Sequence, residues 1–195
     1  MGKIFYVMGK SASGKDTIFR ALLERLPSLR RIVSYTTRPA RIGETDGVDY
    51  RFVDDRTIRK FEEEGRLIEK RIYQTSAGPW TYATVDDGCA DLSGPGSWLA
   101  IGTLESYERV RGYFGAESLI PIYIEVEDGE RLLRAIRREQ QQEKPHYDEV
   151  CRRYLADEAD FSEENLARAG IQKRYRNEDL EGCLAEITED VLRYA

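Results

Sequence analysis

The sequence predicts an α/β domain: a parallel β-sheet with helices on both faces. Three observations carry this. An apolar run, Ile4 to Met8, passes into Gly9 and then Gly14-Lys15 at the GxxxxGK spacing, followed directly by the helical pattern IFRALLERL. Two more apolar runs, Trp98 to Ile101 and Leu119 to Val126, each precede an amphipathic stretch, the alternation that builds parallel sheets. The 195 residues, 41% of them hydrophobic, suffice for one compact core with small insertions.

The first stretch reads as a phosphate grip. Gly9, Ser11, Ala12, Ser13 and Gly14 supply backbone N–H groups that curl around phosphate oxygens, and the following helix aims its positive dipole end at them. Lys15 is placed to reach the β/γ-phosphates as a mobile point charge. The slot after the lysine, where Ser or Thr usually meets Mg²⁺, holds Asp16, with Thr17 one step later. Two roles are open for Asp16: a hard oxygen ligand that organises Mg²⁺, or a helix cap.

Ile18, Leu22, Leu23 and Leu26 recur at helical spacing up to Pro27. A strand from Arg31 to Tyr35 then leads into a polar, turn-rich segment containing Arg38 and Arg41, whose planar forks can close on a phosphate from two sides. A helix to about Glu64, a break at Gly65 and strands around Leu67–Ile72 and Trp80–Val85 follow. Beyond the strand at Trp98, a helix turns Leu104, Tyr107, Val110 and either Tyr113 or Phe114 inward. Two helices then flank a polar hinge near Lys144-Pro145, and IQKRYRN, polar for a buried strand, reads as an edge strand or a partly ordered one before the closing helix.

The acidic balance, 36 Asp+Glu against 30 Lys+Arg, gives no general attraction to nucleic acid or an anionic membrane. No run approaches the roughly 20 apolar residues of a membrane span. The apolar start is too short for a secretory signal, and Cys89, Cys151 and Cys183 suit reduced thiols, so a cytoplasmic protein is expected. The only histidine, His146, sits in the hinge without metal-binding partners and reads as exposed.

Two motifs in order carry a family resemblance. The segment SYTTRPARIGETDGVDYRF is similar to the GMP-binding segment of guanylate kinases, SxTTRxxRxGExxGxDYxF, and it follows the phosphate loop at the family's distance. The resemblance implies a P-loop NTPase-type fold in one domain, 1–195. Its core would comprise about 1–34, 96–129 and 161–195, its nucleoside-monophosphate subdomain about 35–95 and its helical lid about 130–160. It implies ATP and Mg²⁺ as cofactors, with Gly9 to Thr17 on the donor and small molecules as the only substrates. Arg38, Arg41 and Tyr50, with Glu44 in the same segment, would hold the GMP phosphate, and Ser34 the guanine. Glu69 would accept from guanine N1–H and N2–H₂, where adenine would turn a lone pair towards it, and Tyr82 and Thr84 would stand nearby. Arg134, Arg137 and Arg153 match the lid arginines that neutralise charge in phosphoryl transfer, whereas Arg131, Arg138 and Arg152 read as solvated charges. Asn177 would lie near the adenine.

The chain departs from the pattern at one strand end. Guanylate kinases usually read LDID there, and this chain reads Leu99-Ala100-Ile101-Gly102, without either carboxylate. Asp16 is then a candidate to take over metal organisation. The same departures resemble ribose 1,5-bisphosphate phosphokinases, a second enzyme reading, while a non-catalytic guanylate-kinase-like protein-binding module is a third, opposed by the intact GKSASGK.

Overall fold

The computed structural model describes residues 2–41, 43–75 and 78–194. β1, Ile4–Met8, runs into the loop and then α1, Lys15–Arg25. β2, Leu29–Arg31, is followed by β3, Tyr35–Thr36, β4, Arg51–Phe52, and α2, Asp55–Glu63. The hairpin of β5, Leu67–Thr75, and β6, Gly78–Val85, precedes β7, Ser97–Gly102, α3, Leu104–Phe114, and β8, Leu119–Glu125. The chain ends with α4, Asp128–Gln140, α5, Tyr147–Asp160, α6, Glu163–Arg168, β9, Arg174–Arg176, and α7, Leu180–Arg193.

Five strands form a parallel sheet in the order β2-β7-β1-β8-β9, and four form a second sheet in the order β4-β3-β6-β5. β1, central and buried throughout, shows the period of two directly. Phe5 and Val7 face the layer of α1 and α7, packing with Ile18, Leu22, Leu184 and Ile187. Ile4, Tyr6 and Met8 face the opposite layer, with Tyr107, Val110, Phe161 and Leu166. The second sheet has its own small core of Tyr35, Ile58, Ala83 and Val85.

The strand expected over Arg31 to Tyr35 is two strands. The Ile32 amide still donates to Leu99 O on β7 at 2.9 Å, but by Tyr35 the chain has left the first sheet and pairs with Ala83 on β6. The inward aromatic at the end of α3 is Phe114, while Tyr113 is exposed. β9 is an edge strand, with Tyr175 turned into the core and its hydroxyl donating to Asp190 at 2.8 Å. The short helix α6, capped by the Ser162 hydroxyl, was not foreseen.

Candidate active site

The phosphate loop leaves the carboxyl end of β1, where an open α/β sheet places its ligands. Ala12 has φ 63°, a left-handed conformation that is rare without glycine and costs about 1 kcal/mol or more. Gly14, φ 86°, makes the last turn before α1, and a Cβ there would overlap the Asn177 side-chain amide. That amide, buried, donates to Ser13 O at 2.8 Å. Asn177 is therefore a buttress under the loop; the side chain expected beside an adenine is committed to the loop backbone. Ser13 Oγ is buried with no hydrogen-bond partner among the described residues.

Lys15 opens α1 and lies 3.5 Å from the Asp16 carboxylate. The helix is capped by Gly14, with no side-chain cap, so the capping role for Asp16 is not the one the structure shows. Asp16 and Thr17 are both exposed in the first turn. Among the described residues no group of three or more His, Cys, Asp or Glu side chains could hold a metal by itself.

Arg131 corrects the sequence reading most sharply. It was expected to be a solvated charge and is 2% exposed. Its Nη1 donates to Ser11 O and to the Asp157 carboxylate, both at 3.4 Å, and its Nη2 to Asp128 at 3.0 Å and to Glu158. Its guanidinium lies 4.5 Å from the centre of the Tyr154 ring. Asp157 also accepts from the Ser11 amide at 2.7 Å, and Lys10 pairs with Glu158 at 2.7 Å and Asp128 at 3.3 Å. α4 and α5 are thus tied to the loop by one buried guanidinium and three carboxylates. Beside this knot, at the carboxyl ends of β8 and β9, a cavity of about 440 Å³ is lined by both signs of charge, Lys10, Glu125, Arg131, Arg176 and Glu178 among them.

The other helix arginines lie further out. Arg134 pairs with Glu130 at 2.9 Å and donates to Asn177 O at 3.3 Å, which places it near the loop's buttress. Arg137 and Arg138 are exposed, and Arg152 and Arg153 share the carboxylate of Glu149, whose pKa they hold down at about 2. His146 is exposed, as expected.

The second sheet carries the other half of the site. Arg38 is 3% exposed, although it sits in a polar segment. It is clamped by Glu44 through two bonds of 2.7 and 2.6 Å, donates to the Tyr82 hydroxyl at 3.0 Å and stacks over the Tyr50 and Phe52 rings. The bonds from Arg38 hold the Glu44 carboxyl at about 2, and those bonds in turn raise the arginine's pKa. Arg41 is exposed, its amide donating to Glu44 at 2.7 Å. Ser34 is half-buried, and its carbonyl accepts from the Arg51 amide.

Register fixes the remaining side chains. Glu69 pairs with Thr84 and Arg71 with Tyr82 across the hairpin, so all four share one face, the face on which Tyr82 meets Arg38. Glu69 is buried, accepting from the Thr84 hydroxyl at 2.8 Å and from Arg71 at 3.0 and 3.4 Å. Arg71 reaches across to Thr103 Oγ1 at 3.2 Å, at the start of α3. Nothing in the sequence singles out Arg71, because Thr103, the partner that fixes it from outside its own strand, lies 32 residues away. At the LAIG strand end, a Cβ on Gly102 would run into Tyr6 Oη and stand 2.5 Å from Ser106 Oγ. Those two oxygens share a hydrogen bond of 2.6 Å in the space a side chain at residue 102 would enter.

A glycine-rich loop between the central strand and first helix of a parallel sheet, with an arginine clamp on a separate small sheet, defines an open α/β protein with a candidate anion site. Comparison with known proteins narrows this. Residues 1–90 match the model of the family described as guanylate kinase. The guanylate kinases of Mycobacterium bovis and Mycobacterium tuberculosis are each 45% identical over 69 residues, 35% of this chain and 33% of theirs, so the chain matches about a third of the length of these curated relatives. That of Bradyrhizobium diazoefficiens is 29% identical over 198 aligned positions, covering 93% of this chain and 89% of its own. The crystal structure of guanylate kinase from Anaplasma phagocytophilum superposes with a TM-score of 0.66 at 23% identity, covering 98% of this chain and 85% of that one, which establishes the fold. The first 90 residues are thus similar in sequence to guanylate kinases, and the whole chain shares the fold of one.

Proposed function

We propose that the protein is an ATP-dependent nucleoside monophosphate kinase that moves the γ-phosphoryl group of MgATP to GMP. The observation that carries this reading is the pairing of an intact GKSASGK loop with a buried Arg38 clamped by Glu44 and Tyr82, on the same face as the buried carboxylate of Glu69. In this reading the core, the small sheet and the α4–α5 lid are the three working parts.

Gly9 to Gly14 and Lys15 hold the donor phosphates, with the left-handed turns at Ala12 and Gly14 aiming amides inward. Mg²⁺, when bound with ATP, neutralises β/γ-phosphate charge. The exposed Asp16 carboxylate, free of any cap, with Thr17 beside it, is the hard-oxygen group placed to hold it. Arg38, Arg41 and Tyr50 take the acceptor phosphate, Glu44 keeping Arg38 in place, while Ser34, Glu69 and Thr84 face the base and Tyr82 joins clamp to base pocket. Arg134, Arg137 and Arg153 spread the charge of the transferring group after lid movement. Phosphoryl transfer leaves little covalent chemistry for a protein, so this positioning and neutralisation supply most of the rate. A cytoplasmic location fits these substrates, and no helix among the described residues is long and apolar enough to cross a membrane.

The missing carboxylates at Ala100 and Gly102 favour testing a second acceptor class. GMP, dGMP, AMP and ribose 1,5-bisphosphate are each offered with MgATP, and ADP release is followed. Fastest transfer to GMP supports the reading. Preference for the sugar bisphosphate replaces it, and the absence of ATP binding by calorimetry leaves a protein-binding module.

A further inference from the structure

The base end of the acceptor site holds an arginine where no motif places one. Arg71 is 14% exposed and Glu69 beside it 2%. Its Nε donates to Glu69 Oε2, one Nη2 hydrogen to Oε1 and one Nη1 hydrogen to Thr103 Oγ1. A guanidinium has five N–H groups, so one hydrogen on each terminal nitrogen is left without a partner among the described residues. Burial pulls the guanidinium's pKa down, but Glu69 outweighs it, and Arg71 stays charged.

Arg71 is also fixed from the first sheet. Thr103 holds it and caps α3 in a reciprocal box with Ser106, whose hydroxyl bonds Tyr6. Tyr6 and Ser106 fill the space beside Gly102, so this strand end offers the arginine of the small sheet a hydroxyl, from Thr103, and no carboxylate at residue 102.

We propose that Arg71 is a specificity-determining residue of the acceptor site, donating to the C6 carbonyl oxygen of a 6-oxopurine while Glu69 accepts from the adjacent N1–H. The proposal rests on the kinase reading above and names a contact that reading does not contain. A donor beside an acceptor complements O6 and N1–H. Adenine presents the reverse, an amino donor and a ring-nitrogen acceptor, and is mismatched at both positions. The Arg71–Glu69 pair is neutral overall, so it suits an uncharged base edge better than a second phosphate, which would meet the Glu69 charge as well.

The test compares steady-state kinetics at saturating MgATP for GMP, IMP, AMP and 6-thio-GMP, which keeps N1–H and the 2-amino group but carries sulfur, a weak acceptor, in place of O6. The native protein should favour GMP over the 6-thio nucleotide by roughly twentyfold or more in kcat/KM, because the buried Arg71 donors would lose most of their bond. In R71M the KM for GMP should rise about ten- to a hundredfold with kcat within a few fold, and the ratio between the two nucleotides should collapse below about three. Equal losses for all four nucleotides, with the ratio intact, make Arg71 structural only and overturn the proposal. Where circular dichroism shows R71M unfolded, R71K decides: it keeps the charge beside Glu69 but loses the fork. A ratio lowered at least about fivefold then supports the proposal, and an unchanged one overturns it. If the native protein turns over none of the four, the kinase reading fails first and takes this inference with it.

Discussion

Arg131 Nη1 donates to the carbonyl oxygen of Ser11 across 120 positions of sequence, and the same guanidinium binds Asp128, Asp157 and Glu158. One buried cation therefore sets the position of two helices against the phosphate loop. Breaking a fully buried pair costs about 3–5 kcal/mol, but the three carboxylates retain 16–44% exposure, and two of them, Asp128 and Glu158, keep Lys10 as a second partner. Arg131→Met should destabilise the protein by about 2–3 kcal/mol in urea unfolding, and a loss under 0.5 kcal/mol would show that Lys10 alone holds the knot.

The Arg38–Glu44 clamp gives a pH signature. Glu44 titrates at about 2, below its ordinary 4.5, because Arg38 bonds its charged form. A depressed carboxyl contributes stability that is complete above pH 4.5 and is lost as pH falls towards 2. The melting temperature of the native protein should exceed that of Glu44→Gln at neutral pH, and the gap should close between these limits. A gap that persists at pH 2 would place the effect in packing.

Asp16 distinguishes two accounts of the loop. Asp16→Ser restores the usual hydroxyl after the lysine, and if the carboxylate organises Mg²⁺ the concentration needed for half-maximal turnover should rise several fold. An unchanged Mg²⁺ requirement removes that role.

At Gly102 the prediction concerns space. Gly102→Asp forces a side chain against Tyr6 Oη and Ser106 Oγ and should cost about 1–3 kcal/mol. In a Tyr6→Leu background the same change should cost less, and the coupling read from the four proteins by urea unfolding measures the clash. Equal costs in both backgrounds would mean that the strand end relaxes without Tyr6.

What the sequence disclosed was what lies close together in it. The phosphate loop is one contiguous motif on one strand and one helix start, so Gly9 to Lys15 could be read directly. Arg38 and Glu44, six residues apart, were both named, though the sequence did not indicate that the arginine is buried. Arg131 was misread because its neighbours on α4 are charged and its burying partners lie 26 and 27 residues away on α5. Arg71 was passed over for a related reason: Glu69 is two residues away, but Thr103, which fixes it, lies 32 residues on at the end of β7 in the other sheet. The family pattern revealed that carboxylates were missing near Gly102, but only the fold could show that a tyrosine from β1 fills the gap.

The contact between Tyr6 and Gly102 also orders the mutations by which such a site can change. A carboxylate placed at residue 102 meets the tyrosine at once, so it is disfavoured until position 6 becomes smaller. Replacing Tyr6 alone takes one partner from Ser106, which keeps its bonds to Thr103, and opens a void beside β7. The two positions are thus one steric unit: a side chain at 102 alone meets a clash, a smaller residue at 6 alone leaves a void, and the two changes together relieve each other.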